Sequence, residues 1–136
     1  MPECTYHAEY ELGLEASPVV GQESISDLVI FTVACGKNGS VVIALNKDDG
    51  TVAWQTPLAA NAISSPVAVY NEAGKAWLVQ AEMDGNLHLM DAMTGEVLST
   101  VTVDGTLEAS PAVYGDMLVI GATGRGKGAV YCFRIE

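Results

Sequence analysis

The segment Leu-Glu-Ala-Ser-Pro occurs twice, at Leu14–Pro18 and again at Leu107–Pro111, in a chain of 136 residues. A weaker third copy, Ile63-Ser64-Ser65-Pro66, lies between them. The serines that precede proline are Ser17, Ser65 and Ser110, spaced by 48 and 45 residues. A period of this length marks a repeat architecture, in which each unit cannot bury its apolar faces alone and stacked neighbours supply the core. Pro18, Pro66 and Pro111 fall where a strand would open, the position at which a missing N–H costs least.

Each repeat divides at its turns. After Ser-Pro comes a short apolar run: Val19-Val20, Val67–Tyr70 or Ala112–Tyr114. A polar turn and a strongly apolar run follow, Leu28–Ala34, Ala76–Gln80 or Met117–Ile120. Next come Asn38-Gly39, Asp84-Gly85 and Gly126-Lys127-Gly128, of which Asn-Gly and Asp-Gly between apolar runs are strong hairpin signals. The third run is Val41–Leu45, Leu87–Met90 or Ala129–Phe133. A turn at Asp49-Gly50 or Thr94-Gly95 leads into a fourth, Thr51–Trp54 or Glu96–Ser99. The middle runs are nearly continuous in apolar residues, as in strands covered on both faces. Four antiparallel strands per unit, with period in the mid-forties, predict an all-β fold: a β-propeller with three blades in this chain. The repeats run at about 13–58, 59–104 and 105–136, with a further N-terminal strand at 5–12.

Two stretches carry a family resemblance. Ala44-Leu45-Asn46-Lys47-Asp48-Asp49-Gly50-Thr51-Val52-Ala53-Trp54 resembles the repeat of the pyrroloquinoline-quinone (PQQ)-like propellers, as does Leu89-Met90-Asp91-Ala92-Met93-Thr94-Gly95-Glu96-Val97-Leu98. The resemblance implies a structural motif made by Ser17, Pro18, Gly50, Trp54, Ser65, Pro66, Asp91, Thr94, Gly95, Ser110 and Pro111. In it the Trp docks between adjacent blades, on a seat formed by the Ala-x-Asp and Gly turn. Trp54 precedes Ser65 by 11 residues, and the same offset lands on Tyr6 and on Ser99. The contact near Ser99 is therefore expected to be weaker, because serine lacks the area that an aromatic ring buries. Asn46 stands where the second repeat has Asp91.

The family name also suggests a quinone dehydrogenase. The resemblance implies that such enzymes carry an adjacent-cysteine disulfide, a Trp beneath the cofactor and acidic or amide calcium ligands. Cys4, Cys35 and Cys132 include no adjacent pair and have no metal-like spacing. Three blades do not enclose a cofactor on a propeller axis, and fold alone does not transfer activity. The expectation is a protein without catalytic, cofactor-binding or metal-binding residues and without a bound cofactor.

Tyr6 at the Trp offset places the chain's start in the fourth strand of a blade, and Arg134 falls where Asp91 falls. The last repeat thus lacks the strand that the N-terminus holds in surplus. Two readings follow. In one, two chains pair about a two-fold axis into a six-bladed ring, each giving residues 5–12 to the other's last blade. In the other, the chain is an arc of a longer propeller.

Composition restricts partners. The net charge is −11 with only 6 Lys and Arg, which disfavours phosphate backbones and anionic lipid. No stretch of 18 apolar residues exists to span a membrane, and no signal peptide is recognisable. Asp48-Asp49 reads as turn chemistry. His7 and His88 each fall within a strand and read as surface or inter-blade residues. Gly124–Gly128 lacks the Gly-Lys-Ser/Thr ending of a phosphate loop and reads as a basic hairpin able to serve as a contact. The functional expectation is a non-catalytic scaffold that binds a protein or peptide. The alternative is a ligand-binding module, for example for carbohydrate, or a sensor module of a larger extracytoplasmic protein. That location rests on the family resemblance alone.

Overall fold

The computed structural model describes residues 13–124 and 126–136, and within them all regular structure is strand apart from two single 3-10 turns, Glu23–Ile25 and Gly36–Asn38. Eleven strands form three antiparallel sheets. The first blade holds β1 (Val19–Val20), β2 (Leu28–Ala34), β3 (Ser40–Asn46) and β4 (Val52–Leu58). The second holds β5 (Val67–Tyr70), β6 (Ala76–Ala81), β7 (Asn86–Asp91) and β8 (Val97–Thr102). The third holds β9 (Ala112–Tyr114), β10 (Met117–Thr123) and β11 (Gly128–Arg134). Strands in each blade pair in chain order, so every connection within a blade is a hairpin. The fold is thus an all-β propeller arc in which, among the described residues, blades one and two are four-stranded and blade three three-stranded.

The turns lie where the sequence puts them but are longer than the two-residue hairpins that Asn-Gly and Asp-Gly suggest. The amide of Cys35 donates to Gly39, closing a loop around the 3-10 turn, and the amide of Glu82 donates to Asn86. Glycine is needed at the last loop position in each case: Gly39 has φ 77° and Gly85 φ 96°, a region costly for residues with a Cβ. The fourth strands run three to four residues beyond their predicted ends, through Leu58 and Thr102. Each pairs with its third strand through a register shift at the same place, between Ala44 and Leu45 and between Leu89 and Met90.

Alternation along the strands sorts the side chains into faces. In blade one, Leu28, Ile30, Val42, Ala44 and Leu58 point toward blade two and pack on Ala76, Leu78 and Met90. Phe31, Val33, Val41, Ile43 and Leu45 occupy the opposite face of blade one and form a buried cluster of their own. Between blades two and three, Val79, Ala81 and Leu87 meet Leu118, Ile120 and Ala122. Each blade therefore has a leading face, toward the preceding repeat, and a trailing face, toward the next. Two core clusters are inter-blade layers and a third lies on the leading face of blade one, so second and third strands are apolar on both faces, which explains the near-continuous apolar runs.

Candidate functional site

The Ser-Pro motif is built as a hydrogen-bonded ladder across the blades. The amide of Ser17 donates to Oγ of Ser65 at 2.8 Å, and the amide of Ser65 donates to Oγ of Ser110 at 2.8 Å. Serine satisfies a backbone donor of the preceding blade, and Pro18, Pro66 and Pro111 follow it at the strand entrances. The repeated pentapeptide is a blade-to-blade fastener.

The tryptophan notch joins blades one and two at the outer strands. The indole Nε1 of Trp54 donates to the carbonyl of Ala92 at 3.2 Å, and the hydroxyl of Thr56 donates to the carbonyl of Gly95 at 2.6 Å. The ring lies so close to Gly95 that an added Cβ would sit 2.3 Å from Cε3 of Trp54. Gly95 also has φ 75°, so glycine is required there for two reasons. Asp91 shapes the turn under the ring by accepting the amides of Met93 at 2.9 Å and Thr94 at 3.2 Å, and the Thr94 hydroxyl accepts the amide of Glu96. In blade one Gly50, with φ 70°, holds the equivalent turn. There Asn46 donates to the Thr51 hydroxyl, and Asp49 takes the accepting role. The amide of Thr51, then its hydroxyl, hold the Asp49 carboxyl below its ordinary value. Asp48-Asp49 is thus part of a turn.

Ser99, at the position of Trp54, leaves the second notch unfilled. A cleft of about 310 Å³ opens there between Leu87, Leu89, Ser99 and Val101 of blade two and Leu118, Phe133 and Ile135 of blade three. A second opening, about 840 Å³, runs along β11 and is lined by Asp104, Thr106, Thr123, Lys127, Ala129 and Tyr131. Both lie against blade three, which has three strands among the described residues. The contrast in burial is large: the third strands β3 and β7 are mostly buried, whereas in β11 Val130 is 76% exposed and Cys132 is exposed. On β10 of the same trailing face, Val119 is 40% exposed.

One cluster was not legible from motifs. Blade two carries buried polar side chains on its leading face: Gln80, Glu82 and His88. Gln80 accepts a hydrogen bond from the Thr32 hydroxyl at 2.6 Å and donates to the carbonyls of Ser64 and Ala81. Glu82 contacts Nε2 of His88 and accepts the amide of Ala60, while Nδ1 of His88 lies 2.7 Å from the Thr100 hydroxyl. His88 is therefore a buried residue of the leading face whose hydrogen bonds lie within blade two. The only available signal was polar residues at buried positions of an apolar pattern.

Tyr6, His7 and Cys4 lie outside the described residues. Cys35 is buried, which pushes its thiol up, and Cys132 lies on the opposite side of the arc in β11. The glycine-rich segment forms the β10–β11 hairpin, with the Gly124 amide donating to Lys127 and Gly126 at φ 78°. Among the described residues no three His, Cys, Asp or Glu gather in a metal-holding group. Among them, too, no helix is long and apolar enough to cross a membrane.

A repeat of this kind, fastened by serines at the inner strands and by a Trp-Gly notch outside, defines a PQQ-like propeller. The chain belongs to the family described as outer membrane protein assembly factor BamB, whose model matches residues 28–134. It is 28% identical over 108 residues to the beta-alanine-activating enzyme of Danio rerio, a match covering 76% of this chain and 9% of that protein. Among solved structures, it superposes on BamB from Moraxella catarrhalis with TM-score 0.65 and 16% identity, covering 95% of this chain and 35% of that one. For the quinohemoprotein alcohol dehydrogenase from Comamonas testosteroni the TM-score is 0.72 at 22% identity, covering 94% and 20%. At these identities the solved structures share the fold alone. The chain spans less than half the length of each of these proteins.

Proposed function

We propose that this chain is a non-catalytic propeller arc that acts as a scaffold for protein or peptide partners, with its ring completed by further blades. The observation that carries the reading is the trailing side of blade three. It presents an interior-type strand, β11, with Val130 76% exposed, where the equivalent strands of the other blades are covered. A bare apolar edge of this kind pairs with another strand. The small share of each relative's length that the chain covers favours the remainder of a longer propeller as the source of the missing blades. The offset of Tyr6 favours the second source, a copy of this chain that lends residues 5–12. Family membership supports an extracytoplasmic setting.

Light scattering at micromolar concentration separates the two sources. A mass of two chains identifies the second copy, and a mass of one assigns completion to a longer chain. A monomer whose β11 amides exchange with solvent as slowly as those of β7 sinks the reading in both forms. A rise in melting temperature with PQQ and calcium overturns the non-catalytic assignment.

A further inference from the structure

The two inter-blade layers are built on one plan, and among their differences is one pair of facing positions that is polar in the first and apolar in the second. Ladder registers fix the equivalences. Phe31 pairs with Ile43, Gln80 with His88 and Ile120 with Tyr131, each three residues before Asn46, Asp91 and Arg134 on the third strand. The leading-face position is thus Phe31 in blade one, Gln80 in blade two and Ile120 in blade three. The next residue on the second strand points the other way, and on the trailing faces it is Thr32, Ala81 and Gly121.

Across the first interface Thr32 meets Gln80, hydroxyl to amide oxygen at 2.6 Å, with both side chains at 1% exposure or less. Across the second, Ala81 and Ile120 share an apolar cluster, also at 1% exposure or less. The fold accepts either pair. A mixed pair is different: Gln80 against Ala81 or Gly121 would lack the hydroxyl donor, and Thr32 against Ile120 would bury an unpaired hydroxyl. A buried polar group without a partner bears its whole desolvation cost, and such penalties are how similar surfaces are told apart.

We propose that this pair of positions is a docking code that determines which blade faces meet. Thr32 selects Gln80, and Ala81 selects Ile120. Of the buried polar side chains on the leading face of blade two, Glu82 and His88 make contacts that stay within that blade and the segment entering it, and Gln80 alone among them reaches a strand of blade one, so the code resides there. The code also describes what fits the open trailing face of blade three. Gly121 stands at the Thr32 position, and a Cβ built there meets nothing within 4 Å. That face takes a blade with an apolar side chain opposite Gly121 and rejects one with an amide. This extension rests on the arc being completed by further blades; the code between the described blades does not.

The second interface is the control. Thr32→Ala and Gln80→Ile together rewrite the first interface in the residues of the second. Each single variant is expected to lower the urea midpoint of unfolding, and the double variant to recover most of the loss. Losses that add in the double variant, or single variants at the wild-type midpoint, overturn the code. If a single variant does not fold, the same comparison is made with Thr32→Val and Gln80→Leu. A light-scattering mass that contradicts ring completion leaves this cycle unaffected, so the two readings fail separately.

Discussion

Leu87 in blade two and Val130 in blade three occupy one position, four residues before Asp91 and Arg134 on the third strand and facing the next repeat. Leu87 is 6% exposed and Val130 is 76% exposed. Both side chains are apolar and both strands have the same ladder partner on one side. What differs is the neighbour: β8 and blade three cover Leu87, and among the described residues no fourth strand or further blade lies over Val130. Apolar character in a repeat protein reports where a face goes in the complete stack, and burial depends on whether the next repeat is there.

The largest test of this contrast is truncation at the two positions. Leu87→Ala is expected to destabilise by about 3 kcal/mol, the usual cost of a cavity in a packed layer. Val130→Ala is expected to stay within about 0.5 kcal/mol, as at other exposed sites. Urea unfolding of both variants checks this, and equal losses would mean that β11 is covered in solution.

A smaller contrast separates a glycine under the Trp54 ring from one in an open turn. Gly95→Ala is expected to cost about 2 kcal/mol, from the positive φ and from contact with the ring. Gly115, with φ 59° and nothing within 4 Å of an added Cβ, is expected to cost about 1 kcal/mol on the same change. Melting temperatures rank the two, and a reversed order would remove the notch as an organising contact.

The smallest effect concerns the two turns before the fourth strands. Asp49 is held below its ordinary value by Thr51, so its contribution is present above the unfolded-state value and is lost as pH falls through the lowered folded-state value. Carboxyl chemical shifts followed from pH 7 to pH 2 should show Asp49 titrating low in the native protein. Thr51→Val, which removes the hydroxyl and keeps the amide, should raise it only part of the way.

The repeat period, the strand order in each blade and the Trp54 seat were legible because they rest on local chemistry. Proline opens strands, glycine takes positive φ, and apolar runs mark strands covered on both faces. Asn-Gly and Asp-Gly located the hairpin turns without fixing the number of residues around them. Loop length there is set by hydrogen bonds such as that from the Cys35 amide to Gly39. His88 read only as a surface or inter-blade residue because its partners, Glu82 and Thr100, are brought to it by the β6–β7 turn and by β8.

By itself, the sequence determined that this chain makes four-stranded units with a fixed period, since turn residues and alternation act over a few neighbours. Only the tertiary structure decided which faces meet and which stay open. The ladder from Ser17 to Ser65 to Ser110, the hydroxyl of Thr32 on Gln80 and the exposure of Val130 all join positions dozens of residues apart or depend on a neighbouring blade. Such contacts exist only once the blades are stacked, and they carry what is specific to this arc within a widely shared repeat.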